Sequence, residues 1–147
     1  MIKFVNAKDV KKLEDSYDEI WYITGSMKKA PSKKIKHVPE LSPGNSRGID
    51  RHNNRQVYNI AFLREMRQET SMRKLNELYA LGKEKNILCV CYKMDGAHKN
   101  IVCGLLQGAY KVRGEAVYVD EENDYSSFYR AYNQLKETAV QKQLAIA

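Results

Sequence analysis

The segment Ile87 to Leu106, ILCVCYKMDGAHKNIVCGLL, limits the folds open to this chain more than any other. Ile87 to Tyr92 is a continuous apolar run rich in β-formers, too short for a helix and without the alternation of a half-exposed strand. A strand of that kind is buried on both faces, as in a parallel sheet covered by helices. Lys93-Met94-Asp95-Gly96 breaks the run with a tight polar turn. Ile101, Val102, Leu105, Leu106 and Ala109 then resume at helical spacing. In open α/β sheets, ligands bind beyond the carboxyl ends of strands, where helix N-termini face them. A functional site is therefore expected at the junction carrying Lys93, Asp95, His98, Lys99 and Asn100.

The rest of the chain supplies partners for this strand. Ile2 to Val5 suits a short strand, and Asn6 suits the N-cap of a helix over 8–16 with Val10 and Leu13 inward. Ile20 to Thr24, with Trp21 and Tyr22, predicts a second strand ended by Gly25-Ser26. One glycine after a strand does not make a phosphate loop, and an ordinary turn explains it as well. Residues 27–54 read mostly as a long basic loop, with Pro43-Gly44-Asn45 marking a turn; a loop of this length in a compact domain is expected either to work on something or to be mobile. Two helices follow. One runs from Asn54 to Gln68 with Val57, Ile60, Ala61 and Met66 inward. The other begins near Thr70-Ser71 with Met72, Leu75, Leu78 and Tyr79 inward and Gly82 as its C′ residue. After the helix over 98–109, Val112 to Val119 predicts another strand. Asn123 or Asp124 then caps a last helix with Tyr125, Phe128, Tyr132, Leu135 and Ala139 on one face, core-facing or partner-binding. Residues 141–147 are expected to fray. The order β-α-β-loop-α-α-β-α-β-α predicts a single α/β domain, its mostly parallel sheet flanked by helices.

Charge narrows the partners. Between Lys28 and Lys74 twelve Lys and Arg face Glu40, Asp50, Glu65 and Glu69, a balance of +8, so the remainder of a chain of net charge +7 carries −1. A basic middle suits a nucleic acid, a nucleotide or an acidic protein, although lysines also simply solvate loops. No apolar run is long enough to span a bilayer, and the N-terminus lacks the pattern of a secretory signal. The cysteines, Cys89, Cys91 and Cys103, fit reduced core thiols of a cytoplasmic protein. No membrane association is expected. Ten tyrosines beside this many cations raise single-stranded nucleic acid binding, with Tyr58 and Tyr110 as stacking candidates. Core packing explains most of the set.

The order of motifs from Ile2 to Ala109 resembles the domain-of-unknown-function family 488. The features that carry the likeness are Phe62 on an aromatic-rich helix, Leu75 to Leu78 on the next, the strand Leu88 to Cys91, Lys93 with Asp95 in the turn, and His98 with Asn100 opening a helix. Upstream, Pro31-Ser32-Lys33 and His37 to Pro43 look like that family's proline-rich neighbourhoods. This chain departs from the pattern at Ile23-Thr24-Gly25-Ser26, where many members carry aspartate-x-arginine. It departs again at Ala97-His98-Lys99, where many carry cysteine-histidine-arginine. The resemblance implies an α/β fold and a site beside His98, and it implies no substrate.

His98 leads the candidate chemistry. A helix N-terminus favours anions and disfavours protonation of a nearby imidazole, so His98 can serve as a base or hydrogen-bond donor, oriented by Asp95. The competing account is a capping histidine without a catalytic duty. Lys93, Lys99 and Asn100 can add phosphate contacts. Cys91, near the strand's carboxyl end, is a candidate nucleophile. Ser26, Ser42, Lys28, Lys29, Arg47 and Arg51 fall on loops near the same sheet edge, where an arginine can grip phosphate bidentately. Cysteine and histidine spacing matches no metal site, and neither a P-loop, a dinucleotide fingerprint nor a nucleophile elbow is present, so no metal or cofactor is expected. Two readings follow. In one, a basic α/β protein grips nucleic acid or an acidic partner through Lys28–Lys74, a style that also suits a virus- or mobile-element-encoded protein acting on a host factor. In the other, a small enzyme acts on a nucleotide, nucleic acid or phosphorylated metabolite with His98 and Asp95.

Overall fold

The apolar run condenses into β4 (Ile87–Cys91), all five residues of which are buried. In the computed structural model, which describes residues 1–92, 97–115 and 125–146, β4 has a strand on each side. β1 (Ile2–Asn6) and β2 (Glu19–Tyr22) flank it, and β3 (Ile35–His37) lies outside β2. Every pairing in the order β1-β4-β2-β3 is parallel. Ile87 stands opposite Ile2, and Leu88 opposite Ile20, so apolar side chains line up across the register.

The two faces of the sheet are covered unequally. On one, Phe4, Trp21 and Cys89 meet the long helices through Phe62 of α2 (Arg55–Glu65), Leu78 of α3 (Glu69–Gly82), Ile101 of α4 (Ala97–Val112) and Phe128 of α5 (Tyr125–Ile146). Burial of each such side chain is worth about 1.5–3 kcal/mol. On the other face, Val5, Ile20, Leu88 and Val90 are covered by Val10, Leu13 and Tyr17. These lie in and just after α1 (Val10–Leu13), with 3-10 turns Ala7–Asp9 and Glu14–Ser16 on either side of it. The Asn6 side chain accepts from the Lys8 N–H at 3.0 Å and caps this segment as expected. The chain is thus an α/β domain with a parallel sheet. Among the described residues no helix is long and apolar enough to cross a membrane.

Several expectations need correction. Residues 27–54 are not structureless, because they hold β3 and 3-10 turns at Pro39–Leu41 and Asn45–Gly48. Of the expected inner side of α2, Met66 is buried and Ile60 packs against the core, but Val57 is 58% exposed, and the buried helical positions are Tyr58, Asn59, Phe62 and Leu63. Met72 is exposed too, while Leu75, Leu78 and Tyr79 are buried as expected. Val112 ends α4 instead of starting a strand, and the rest of that predicted strand beyond Glu115 lies outside the described residues. On α5 the buried positions among the described side chains are Phe128, Ala131 and Leu135, Tyr132 is exposed, and the side chain of Ala139 lies outside the description. That helix continues to Ile146, through residues expected to fray. Tyr58 and Tyr110, the stacking candidates, are both buried.

Gly82 has a different duty from the one its sequence position suggests. It is the last helical residue of α3, not a C′ residue. A Cβ there would lie 2.6 Å from Ile2 Cδ1 and 2.7 Å from the Tyr110 hydroxyl. Close approach of the helix end to β1 and α4 is what excludes a side chain.

Candidate functional site

β2 ends at Tyr22, and the chain leaves it through Ile23-Thr24-Gly25, a segment that two histidines hold. His98, in the first turn of α4, places Nε2 3.0 Å from the Ile23 carbonyl oxygen. His37, at the end of β3, places Nε2 2.7 Å from the Thr24 carbonyl oxygen. A carbonyl only accepts, so each ring donates from Nε2–H, and in the neutral imidazole Nδ1 keeps the lone pair. The Phe62 ring meets His98 edge-on at 5.8 Å and fixes its plane from below.

A second wall comes from the turns before α2. Ser42 donates both its N–H and its hydroxyl to the Pro39 carbonyl, each at 2.9 Å, closing the Pro39–Leu41 turn. Glu65, at the end of α2, reaches back across the next turn. Its carboxylate accepts from the Gly44 N–H at 2.8 Å and from the Ser46 N–H at 2.6 Å. That turn carries Arg47, whose guanidinium lies directly over Gly25. Among the described residues no side chain forms an ion pair with Arg47.

Together these elements enclose a cleft of about 240 Å³ at the carboxyl ends of β2 and β4. Arg47, Arg51, Ser42, Thr24 and His98 give it its polar character, and Tyr58, Tyr92 and Ile49 its apolar one. No carboxylate is among its described lining residues. Two guanidiniums bring positive charge into this concavity, while the Ser42 and Thr24 hydroxyls give their protons to the Pro39 and Ser26 carbonyls. The hydroxyl of Tyr92 accepts from the Lys28 N–H at 3.2 Å, which ties the start of the basic loop to the rim.

Of the residues singled out from sequence, His98, Ser42, Arg47 and Arg51 meet in this cleft. Others do not line it. Lys29 pairs with Glu14 at 2.7 Å, and that contact raises its pKa. Lys28 contributes only its backbone, and its side chain is exposed. Ser26 is exposed, and its carbonyl accepts from the Thr24 hydroxyl at 2.5 Å. Asn100 is buried within α4, and Lys99 is half-buried. Lys93 and Asp95 lie outside the described residues.

Burial counts against Cys91 as a nucleophile. It is fully buried, and burial pushes its thiol up to about 12, against a weaker downward pull from the Lys99 charge. A thiol protonated at neutral pH does not attack. Cys89 is buried as well, and burial likewise pushes its thiol well above the ordinary value.

Sequence reasoning missed Thr24, His37 and Tyr92, and named Tyr58 only as an exposed stacking residue. Thr24 and Tyr92 are the residues just past the ends of β2 and β4, so the rule that pointed to the sheet's carboxyl edge could have named them. Tyr58 needed the correct phase of α2. His37 needed β3, which the sequence does not announce. No protein-family model matches this chain, and no curated protein or solved structure is significantly similar to it.

Proposed function

We propose that this protein binds a phosphorylated ligand of nucleotide size or smaller in the cleft between β2, β4 and the 42–51 turns. The observation that carries the reading is the convergence of Arg47 and Arg51 with Ser42, Thr24 and His98 in one concavity whose described lining residues include no carboxylate. Planar guanidiniums match phosphate oxygens two at a time, and the Tyr92 hydroxyl, which accepts from the Lys28 N–H, keeps its own proton to donate. The volume, about 240 Å³, falls below the usual range for drug-sized ligands and favours one phosphorylated unit over a dinucleotide. Tyr92, half-buried at the rim, offers aromatic surface to a base or sugar beside the phosphate.

Turnover of such a ligand would fall to His98, the imidazole among the described lining residues of the cleft. Binding of a nucleic acid or acidic protein over the whole Lys28–Lys74 surface draws less support. Within that span Lys29, Lys36, Arg73 and Lys74 are engaged by Glu14, Glu19, Glu69 and Glu77. The phosphate of a strand terminus entering the cleft is the form of nucleic acid binding most compatible with this site.

Calorimetric titration with inorganic phosphate, nucleoside monophosphates and sugar phosphates tests the reading, with Arg47→Ala alongside. Saturable binding weakened at least tenfold in Arg47→Ala is expected, the loss of one charge-assisted contact being worth roughly 1.5–3 kcal/mol. Absence of binding to the whole panel overturns it. So does mobility-shift binding to short DNA or RNA that falls steeply with salt and is indifferent to Arg47→Ala.

A further inference from the structure

We propose that Gly25 and Glu65 set the position of Arg47, so that affinity for phosphate in the cleft is controlled by two residues that offer the ligand no side chain. The proposal rests on the binding function proposed above and deepens it. Gly25 is the seat. A Cβ built on it would lie 2.9 Å from Arg47 Nη1 and 3.0 Å from Cζ, closer than real Cβ contacts allow, so the guanidinium occupies the space that any side chain would fill. Conformational need does not explain this glycine. Among the described residues only Gly114 has a positive φ, and Gly25 uses backbone that any residue adopts. Its value at this position lies in the missing atom.

Glu65 is the strap. Its two carboxylate oxygens take the Gly44 and Ser46 N–H groups, which bracket the start of the Asn45–Gly48 turn. Arg47 is the next residue, and its own N–H donates to the Gly44 carbonyl at 3.1 Å. A carboxylate accepting two backbone N–H groups fixes a turn more firmly than water does. The strap begins on the core-packed helix α2, so the exposed turn inherits the precision of the interior. With the seat filled or the strap cut, the guanidinium swings into solvent while the cleft's other walls stay in place.

Calorimetry with inorganic phosphate and a nucleoside monophosphate tests this on Gly25→Ala, Glu65→Gln, Arg47→Ala and the double variants that add Arg47→Ala to each. Gly25→Ala meets only the end of a flexible side chain at an exposed site, so it leaves folding intact even where Glu65→Gln does not. Each single variant is expected to weaken binding roughly tenfold. In the Arg47→Ala background neither change weakens it further, because both act through that side chain. A purely structural effect would lower affinity equally in both backgrounds, and that result overturns the proposal. Wild-type affinity in Gly25→Ala also overturns it, while leaving phosphate binding standing. Failure of the wild type to bind removes the binding function and this device with it.

Discussion

Glu19 is a buried carboxylate whose removal has a calculable cost. Its side chain is 8% exposed and accepts from Lys36 Nζ at 2.6 Å, from Lys85 Nζ at 3.2 Å and from Trp21 Nε1 at 3.1 Å. These contacts join β2 to β3, to the turn before β4 and to the indole on the core face. Glu19→Gln keeps the shape and one acceptor but loses the charge. Stripping one partner from a fully buried ion pair costs about 3–5 kcal/mol. Here the ammonium groups belong to side chains 41% and 47% exposed, which can turn to water, so the expected loss is nearer 1–3 kcal/mol. The cost also depends on pH. Burial pushes the Glu19 pKa up, but the hydrogen bonds from Lys36, Trp21 and Lys85 outweigh it and hold the group below the ordinary glutamate value. A carboxylate with a depressed folded pKa stabilises fully above its unfolded pKa, and the contribution disappears as pH falls through the folded pKa. Urea denaturation of wild type and Glu19→Gln should therefore show the full gap near neutrality, closing in acid below the ordinary glutamate range. A gap under about 0.5 kcal/mol at neutral pH, or one that does not narrow in acid, would refute the reasoning.

Three further outcomes are expected. Gly82→Ala forces a Cβ against Ile2 and the Tyr110 hydroxyl and should destabilise by about 1–3 kcal/mol in denaturant melts; an unchanged midpoint would mean that α3 can move away from β1. Asn59 is fully buried in α2 with neither amide atom hydrogen-bonded, so Asn59→Leu should gain about 1–2 kcal/mol, whereas a loss of that size would reveal a bonded amide. The native protein should react with a thiol reagent only as fast as it unfolds, because Cys89, Cys91 and Cys103 are all buried; rapid labelling of one thiol would contradict the packing of the core.

What was legible in the sequence follows from how strongly each element depends on burial. β4 must be apolar throughout because it has neighbours on both sides and layers on both faces, so its run stands out. β2 was visible for the same reason, through Ile20 to Tyr22. β3 was not, since an edge strand of three half-buried residues in a lysine-rich stretch needs only Ile35 and backbone pairing. The phase of α2 was misjudged because Val57 is apolar yet exposed, while Tyr58 and Asn59 turn inward. At the site, His98 was legible from the strand–turn–helix pattern alone. Arg47 and Arg51 were visible only as loop cations. Their convergence in one cleft with His98 and Thr24 brings together residues far apart in sequence, which no local pattern records.

The strand order carries a consequence for how the chain acquires its structure. β1 and β2 come early in the sequence, yet they do not touch each other in the sheet. Each pairs with β4, which arrives after α2 and α3. Ile2 must find Ile87, and Ile20 must find Leu88, before both edges of the central strand are satisfied. Closing so long a loop costs entropy before any reward, and sheets of this kind fold more slowly than those assembled from neighbouring hairpins. As the chain leaves the ribosome, its first half therefore holds only the local β2–β3 pairing. The candidate cleft, whose walls include Tyr92 and His98, comes into being only once the central strand closes the sheet.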